Sequence, residues 1–238
     1  MFAIKSKPSD KTGAVLKHHR SNGRANLGIL LWMLVVVSLS ACWRAKNDPD
    51  ADRSFITDHP CAAPCWYSLE PGKSSQAEVL ATLQSLPFVD KTTIRESRAN
   101  WGGDENAKTF HFDCIHPKEK NCGGAIISGG KLGELWLTVG YPLSLKMAVD
   151  KLGVPDYVEY GLYHPEVGGS VVFLDWPERG IGVEVFNEKD DRLYRKIREG
   201  QGIPPEVQVT GLYYFEAGDF GSEPPNALQR IEWPGFSE

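Results

Sequence analysis

Apolar residues recur at helical spacing in two short segments of this chain, and each segment carries its own start and stop signals. Ser75 and Glu78 form a capping-box pattern before the first segment, and Pro87 ends it. Ser144 precedes the second segment, which ends at Gly153. The apolar positions are Val79, Leu80, Leu83 and Leu86 in the first segment and Leu145, Ala148, Val149 and Leu152 in the second. The pattern therefore predicts two short amphipathic helices.

Each predicted helix is followed by stretches that predict β-strands. Residues 109–114 and 134–139 alternate apolar and polar side chains, as a sheet with one covered face requires. The predicted strands span 92–95, 109–114, 125–127 and 134–139 after the first helix, and 157–162, 170–174, 182–186 and 206–214 after the second. We therefore predict an α+β fold of two degenerate units, each a short helix packed on a small antiparallel sheet.

The spacing of the helix signals indicates an internal repeat. Gly72 and Pro87 are 15 residues apart, and so are Gly140 and Pro155. We place the first unit at residues 60–139, the second at 140–216 and a C-terminal tail at 217–238. In that tail, Trp233 and Phe236 either fold back on the core or belong to a frayed end.

Residues 140–158 carry a family resemblance. A glycine, a capped helix, the motif Leu152-Gly153-Val154-Pro155 and a following strand resemble β-lactamase-inhibitor-protein-like domains. They also resemble the SmpA/OmlA (BamE-type) outer-membrane lipoproteins. The first unit departs from this pattern, since Leu86-Pro87 stands where Leu-Gly-x-Pro would be. The resemblance implies a helix-on-sheet fold that serves enzyme inhibition or envelope assembly.

The first 41 residues resemble a bacterial lipoprotein signal peptide. Residues 1–26 carry six basic residues and one acid, and the apolar run 27–37 follows. This run is shorter than the about 20 apolar residues of a transmembrane helix. It leads to Leu39-Ser40-Ala41-Cys42, a lipobox pattern in which the chain is cleaved before Cys42 and that cysteine is acylated. The alternative is an uncleaved anchor with a buried Cys42.

The lipobox predicts where the protein resides and how it is held there. We expect an extracytoplasmic, lipid-anchored protein whose acyl chains on Cys42 hold it to the cell membrane. Residues 42–59 are polar and without periodicity, so we predict a tether there. Of the 26 basic and 31 acidic residues, the leader removes six and one, which leaves a formal net charge of −10. This charge argues against nucleic acid as a partner.

Four cysteines remain once Cys42 is acylated, and an even number in an exported chain predicts disulfide bonds. We favour the two local pairs, Cys61 with Cys65 and Cys114 with Cys122, because each closes a short loop. The crossed pairings, which would join the two loops, remain open.

Other chemistry finds little support in the sequence. His111, Cys114, His116 and Cys122 are zinc-ligand types, but their spacing matches no common zinc module. The chain also lacks the Gly-x-Ser-x-Gly turn of many serine hydrolases. We therefore predict no metal, no cofactor and no catalytic residue.

The aromatic residues are the remaining functional signal. Trp66, Trp101 and Tyr141 lie in loop-like sequence, and Trp136 lies in a predicted strand. Because tryptophan and tyrosine dominate interface hot spots, we take these four as candidate contacts for an envelope protein partner. The alternative is that they fill the core. We expect a non-enzymatic protein-binding or envelope-scaffold module, with a surface-tethered hydrolase or an inhibitor of a secreted enzyme as alternatives.

Overall fold

The computed structural model describes residues 51–115, 119–162, 169–187, 190–218 and 228–237. All of these residues belong to one compact unit of the chain, residues 43–238. The predicted leader, Cys42 and the first part of the predicted tether lie outside the described ranges. The helices among the described residues are α1 (Ser54–Thr57), α2 (Gln76–Ser85), α3 (Leu145–Leu152) and α4 (Arg192–Arg198), with a 3₁₀ turn at Pro177–Arg179.

The strands are β1 (Val89–Arg98), β2 (Lys108–Cys114), β3 (Glu119–Ser128), β4 (Lys131–Thr138), β5 (Tyr157–Leu162), β6 (Ser170–Trp176), β7 (Ile181–Asn187), β8 (Gly211–Phe215) and β9 (Gln229–Ile231). They form one nine-stranded sheet in the order β1-β2-β3-β4-β8-β7-β6-β5-β9. Every neighbouring pair is antiparallel. The prediction of two α+β units, each with its own small sheet, is therefore wrong.

The pairing of β4 with β8 is the reason that a single sheet forms. Five residues of each strand lie in register. Leu135 lies opposite Tyr214 and Leu137 opposite Leu212, and all four side chains are buried. Two separate sheets would leave the N–H and C=O groups of β4 and β8 without partners along exposed edges. Pairing these edges satisfies both backbones and makes the apolar core continuous.

The helices contribute to one core on one side of the sheet, which we call the helix-covered face. Both predicted helices are confirmed at their capped starts. In α2, Glu78 N–H donates to Ser75 Oγ at 3.3 Å, and Ser75 N–H donates to Glu78 Oε2 at 2.7 Å. In α3, Met147 N–H donates to Ser144 Oγ at 3.2 Å. The shared core includes Val79, Leu83, Leu145, Ala148 and Leu152 from these helices and Phe112, Leu135, Leu174, Val183 and Leu212 from the sheet.

Residues 51–59, which we predicted as part of the tether, are packed against this core. The Phe55 side chain in α1 is buried. Lys151 of α3 forms an ion pair with Asp58 at 2.6 Å. This stretch therefore belongs to the folded part of the chain.

The described part of the predicted tail, residues 228–237, also packs against the rest of the fold. Strand β9 extends the sheet beyond β5. Phe236 forms a bridge with Ile203, and the rings of Trp233 and Phe236 lie 5.3 Å apart. Within the described ranges, no helix is long and apolar enough to span a membrane.

Candidate functional site

The side of the sheet opposite the helices, which we call the open face, carries the candidate site. Strand alternation decides which side chains lie there. In β4, Leu135 and Leu137 point into the core, so Glu134, Trp136 and Thr138 lie on the open face. The strand registers then assign the equivalent residues of every other strand to this face.

A row of residues crosses the open face from β1 to β5, and we call it the cross-sheet row. It consists of Arg95, His111, Gly124, Trp136, Tyr213, Gly182, Asp175 and Tyr157. Its two glycines make room for their neighbours. A Cβ atom at Gly124 would lie 2.7 Å from the Trp136 ring, and one at Gly182 would lie 2.5 Å from Asp175 Oδ1. Trp136 and Asp175 therefore lean sideways over glycine.

Aromatic side chains cluster around the middle of this row. Trp136, Tyr213 and Phe173 are partly exposed, and the rings of Phe173 and Tyr213 meet edge to face at 5.6 Å. Trp101, from the loop between β1 and β2, packs on Gly133 of β4, where a Cβ atom would lie 2.7 Å from its ring. The structure thus brings two predicted contacts, Trp101 and Trp136, to the same strand.

Asp104 fixes the loop that carries Trp101. Ser128 Oγ donates to Asp104 Oδ2 at 2.6 Å, and the Gly129 N–H donates to the same oxygen at 3.2 Å. These hydrogen bonds also lower the pKa of Asp104, because they favour its charged form. The loop is therefore joined to the hairpin between β3 and β4.

The other two predicted contacts, Trp66 and Tyr141, are placed in the core. Trp66 is 0% exposed, and its indole N–H donates to Asp52 at 2.7 Å. Tyr141 is 8% exposed, and the guanidinium of Arg53 lies 5.8 Å from the centre of its ring. Neither side chain is available to a partner of the folded protein. Trp66 and Tyr141 therefore fill the core, which was the alternative stated for them.

Carboxylates on the open face are the feature that sequence reasoning missed. Glu134, Asp175, Glu159 and Glu184 come from four different strands. Each lies in an apolar strand, an even number of residues from an aromatic or other open-face position of that strand. Because alternate residues of a strand share a face, this spacing is the signal that could have revealed them. They add four acidic groups to the aromatic surface.

These carboxylates differ in how they are partnered. Tyr213 OH donates to Glu184 at 2.6 Å, and Arg230 of β9 pairs with Glu159 at 2.5 Å. Asp175 is 9% exposed, and no hydrogen bond from a described residue contributes to the pKa of its carboxyl. Burial and then the repulsion of Glu159 raise the pKa of Asp175 to about 7. Burial also raises the pKa of Glu134, and a hydrogen bond from Trp101 opposes that rise.

A shallow groove of about 380 Å³ lies at the β1 end of the row. It is lined by Arg95, Glu96, Ser97, His111, Asn121 and Trp136. Ser97 Oγ and His111 Nε2 are 3.2 Å apart, the geometry of a nucleophile and its base. Burial and then the charge of Arg95 lower the pKa of His111, whereas the acid of a catalytic triad would raise it.

The nearby acid, Asp113, is engaged elsewhere. It accepts from the Asn121 N–H at 2.9 Å and pairs with Arg95 at 3.4 Å. Among the described residues, no carboxylate contributes to the pKa shift of His111 or shares its hydrogen bond with Ser97. Ser97 and His111 can therefore hydrogen-bond a ligand, but they lack the third member that would orient and charge the imidazole.

Both local disulfide pairs are confirmed. Cys61 is bonded to Cys65 and Cys114 to Cys122, with Cα separations of 5.7 and 5.6 Å. The crossed pairings are thereby excluded. Because Cys114 and Cys122 form a disulfide bond, they are not available to ligate a metal together with His111. His116 lies outside the described residues. No group of three or more potential metal ligands occurs among the residues that the structure describes.

Comparison with known proteins adds no further assignment. No protein-family model matches the chain. No curated protein matches it, and no solved structure does. The functional argument therefore depends on the geometry of the open face.

Proposed function

We propose that this chain is an extracytoplasmic lipoprotein, held to the cell membrane by acyl chains on Cys42, that binds an envelope protein through the open face of its sheet. The observation that carries the proposal is the cluster of partly exposed aromatic rings, Trp101, Trp136, Tyr213 and Phe173, on one side of a continuous sheet. Aromatic residues of this kind supply most of the binding energy at protein interfaces. The role is that of a binding or scaffold module.

The dimensions of the open face support this role. Nine strands give eight spacings of about 4.8 Å, which is a width of roughly 38 Å. Strands of seven residues add a length of roughly 20 Å. The product, which includes the buried positions Thr109, Glu159 and Asp175, approaches the roughly 800 Å² that one partner contributes to a standard protein interface. Hydrogen-bonded strands also hold the aromatic residues in place before binding, which limits the entropy lost on association.

The groove chemistry favours binding over hydrolysis. Ser97 and His111 lie in a shallow, open groove, and the charge of Arg95 disfavours the imidazolium that a triad must form. A surface-tethered hydrolase therefore receives less support than a binding module. Inhibition of a secreted enzyme would be one form of the same protein-binding activity.

Site-specific photocrosslinking in membranes tests the open face. With a photoreactive residue at Phe173, we expect a crosslinked partner, and Trp136→Ala is expected to reduce its yield roughly tenfold or more. The matched control is Met147→Ala, which removes a side chain 46% exposed on α3. Trp136→Ala protein that keeps its thermal unfolding midpoint and crosslinks as well as Met147→Ala would contradict the proposal.

Substitution of the lipobox cysteine tests the membrane tether. We expect Cys42→Ala to abolish incorporation of labelled fatty acid and either to release the protein from the membrane fraction or to block processing, because two or more acyl chains supply the anchoring energy. Fractionation and fatty-acid labelling measure both effects. The Cys61→Ser and Cys65→Ser double variant is the control and should still be acylated. Unchanged labelling of Cys42→Ala would refute the lipobox assignment.

A further inference from the structure

Asp175 is a buried carboxylate for which the described fold supplies no hydrogen-bond donor. It is 9% exposed, and its Oδ1 lies where a side chain at position 182 would begin. Removing a carboxylate from water without a compensating partner is costly. Arg230 forms an ion pair with Glu159, the other carboxylate buried on this face, and its charge also favours the ionised form of Asp175 without a hydrogen bond to it. Asp175 therefore has room for a further cationic hydrogen-bond donor, which the described fold does not supply.

Glycine and aromatic residues of the neighbouring strands surround Asp175. Asp175 of β6 leans over Gly182 of β7, and Tyr213 lies on the other side of this glycine, on β8. Two strand spacings separate β6 from β8, which is roughly 10 Å. Phe173 contacts Tyr213 on the same face. The site thus has a carboxylate on one side and aromatic rings on the other.

Further acidic residues lie near Asp175 on the same face. Glu134 of β4 is close enough to influence the pKa of both Asp175 and Tyr213. Glu184 already accepts from Tyr213 OH at 2.6 Å, so it fixes the phenol ring rather than competing for a ligand. Acidic residues exceed basic ones outside the leader as well, which gives an attractive field for a basic partner.

We propose that the protein partner places an arginine side chain against Asp175, so that its guanidinium binds the carboxylate where it leans over Gly182 and lies against the Tyr213 and Phe173 rings. This inference rests on the proposed binding function and names the chemistry of the partner. A guanidinium is planar, donates two parallel hydrogen bonds to a carboxylate and stacks on aromatic rings. It is also less strongly hydrated than an ammonium group, so arginine fits this largely buried carboxylate better than lysine.

Titration with small arginine derivatives tests the inference on the purified full-length protein in detergent micelles. The probe is N-acetyl-arginine amide, followed through the indole and backbone NMR signals of Trp136, Gly182 and Tyr213. N-acetyl-lysine amide and the uncharged N-acetyl-citrulline amide are the comparison probes. We expect saturable shifts with the arginine probe and at least about tenfold weaker binding of the citrulline probe, because a charge-assisted hydrogen bond is lost.

Two carboxylate variants make the test specific. Asp175→Asn is expected to weaken arginine binding about tenfold or more, and Glu178→Gln, which removes an exposed carboxylate on the 3₁₀ turn, should leave it unchanged. Glu134→Gln is a second variant in case Asp175→Asn does not fold, and it should weaken binding by a smaller factor. Equal binding of arginine and citrulline probes, or full arginine affinity in Asp175→Asn, would overturn the inference.

The outcome separates this inference from the proposed function. If the arginine probe does not bind but Trp136→Ala still abolishes crosslinking at Phe173, the open face binds a partner without an arginine at Asp175. If the arginine probe binds as expected while crosslinking is insensitive to Trp136→Ala, the guanidinium site is supported and the proposed aromatic interface is contradicted. Tighter binding of the lysine probe would overturn the preference for arginine.

Discussion

Trp66→Ala is expected to lower the free energy of unfolding by about 3–5 kcal/mol, the usual cost of removing a large aromatic side chain from a core. Trp66 is 0% exposed and meets the Phe88 ring at 6.2 Å. Its indole N–H also holds Asp52. The substitution therefore creates a cavity and leaves the N-terminal segment without one of its attachments.

Chemical denaturation followed by far-UV circular dichroism measures this effect. Trp136→Ala is the matched control, since it removes the same side chain from the partly exposed open face, and we expect it to cost clearly less. Trp66→Phe should recover part of the loss, because it refills much of the volume without the hydrogen bond to Asp52. Equal destabilisation by Trp66→Ala and Trp136→Ala would contradict the assignment of Trp66 to the core.

Asp175→Asn is expected to change how stability depends on pH. Burial and Glu159 raise the pKa of Asp175 to about 7, above its value in the unfolded chain. Between about pH 4 and pH 7 the folded state holds a proton that the unfolded state has lost, so the free energy of unfolding falls as pH rises through this window. Asp175→Asn removes that fall and stabilises the protein above pH 7 by up to about 4 kcal/mol, at 1.36 kcal/mol for each pKa unit.

Unfolding measurements between pH 4 and pH 8 test this prediction. The charged and titratable groups that face Asp175 are Glu159 and Tyr157 on β5, Glu184 on β7, Tyr213 on β8, Glu134 on β4 and Arg230 on β9. Glu178→Gln, on the exposed turn after β6, is the control and should leave the pH profile unchanged. A parallel fall in stability for wild type and Asp175→Asn would show that Asp175 does not carry the effect.

The helices could be predicted from sequence because their determinants are local. Ser75 with Glu78, and Ser144 with Met147, lie within one turn of each other, so the capping pattern and the hydrogen bonds coincide. The local disulfide pairs are of the same kind, since each closes a loop of a few residues. Such features need no knowledge of distant parts of the chain.

The single sheet could not be predicted because its decisive contact is distant. Leu137 and Leu212 meet across β4 and β8 although 75 residues separate them. Period-two alternation tells which face of a strand is covered, but it does not say which strand lies beside it. The same alternation fits a strand at the edge of a small sheet and one at the centre of a large sheet.

The candidate site was predictable only in part. Trp101 and Trp136 reach the open face, whereas Trp66 lies next to a turn that directs it inward. The turn residues Tyr67 and Ser68 have φ values of 47° and 68°, which residues other than glycine rarely adopt. Glycine and asparagine are the usual residues in this conformation, so Tyr67 and Ser68 do not indicate the turn. Without that signal, the sequence around Trp66 resembles an exposed loop.

The position of β8 also bears on the order in which the fold can be completed. This strand lies between β4 and β7 at the centre of the sheet, yet it is one of the last to be synthesised. Until residue 215 is available, β4 and β7 each present an unpaired edge that another strand could occupy. Deletion of the last two strands should therefore cause aggregation rather than leave a smaller stable domain.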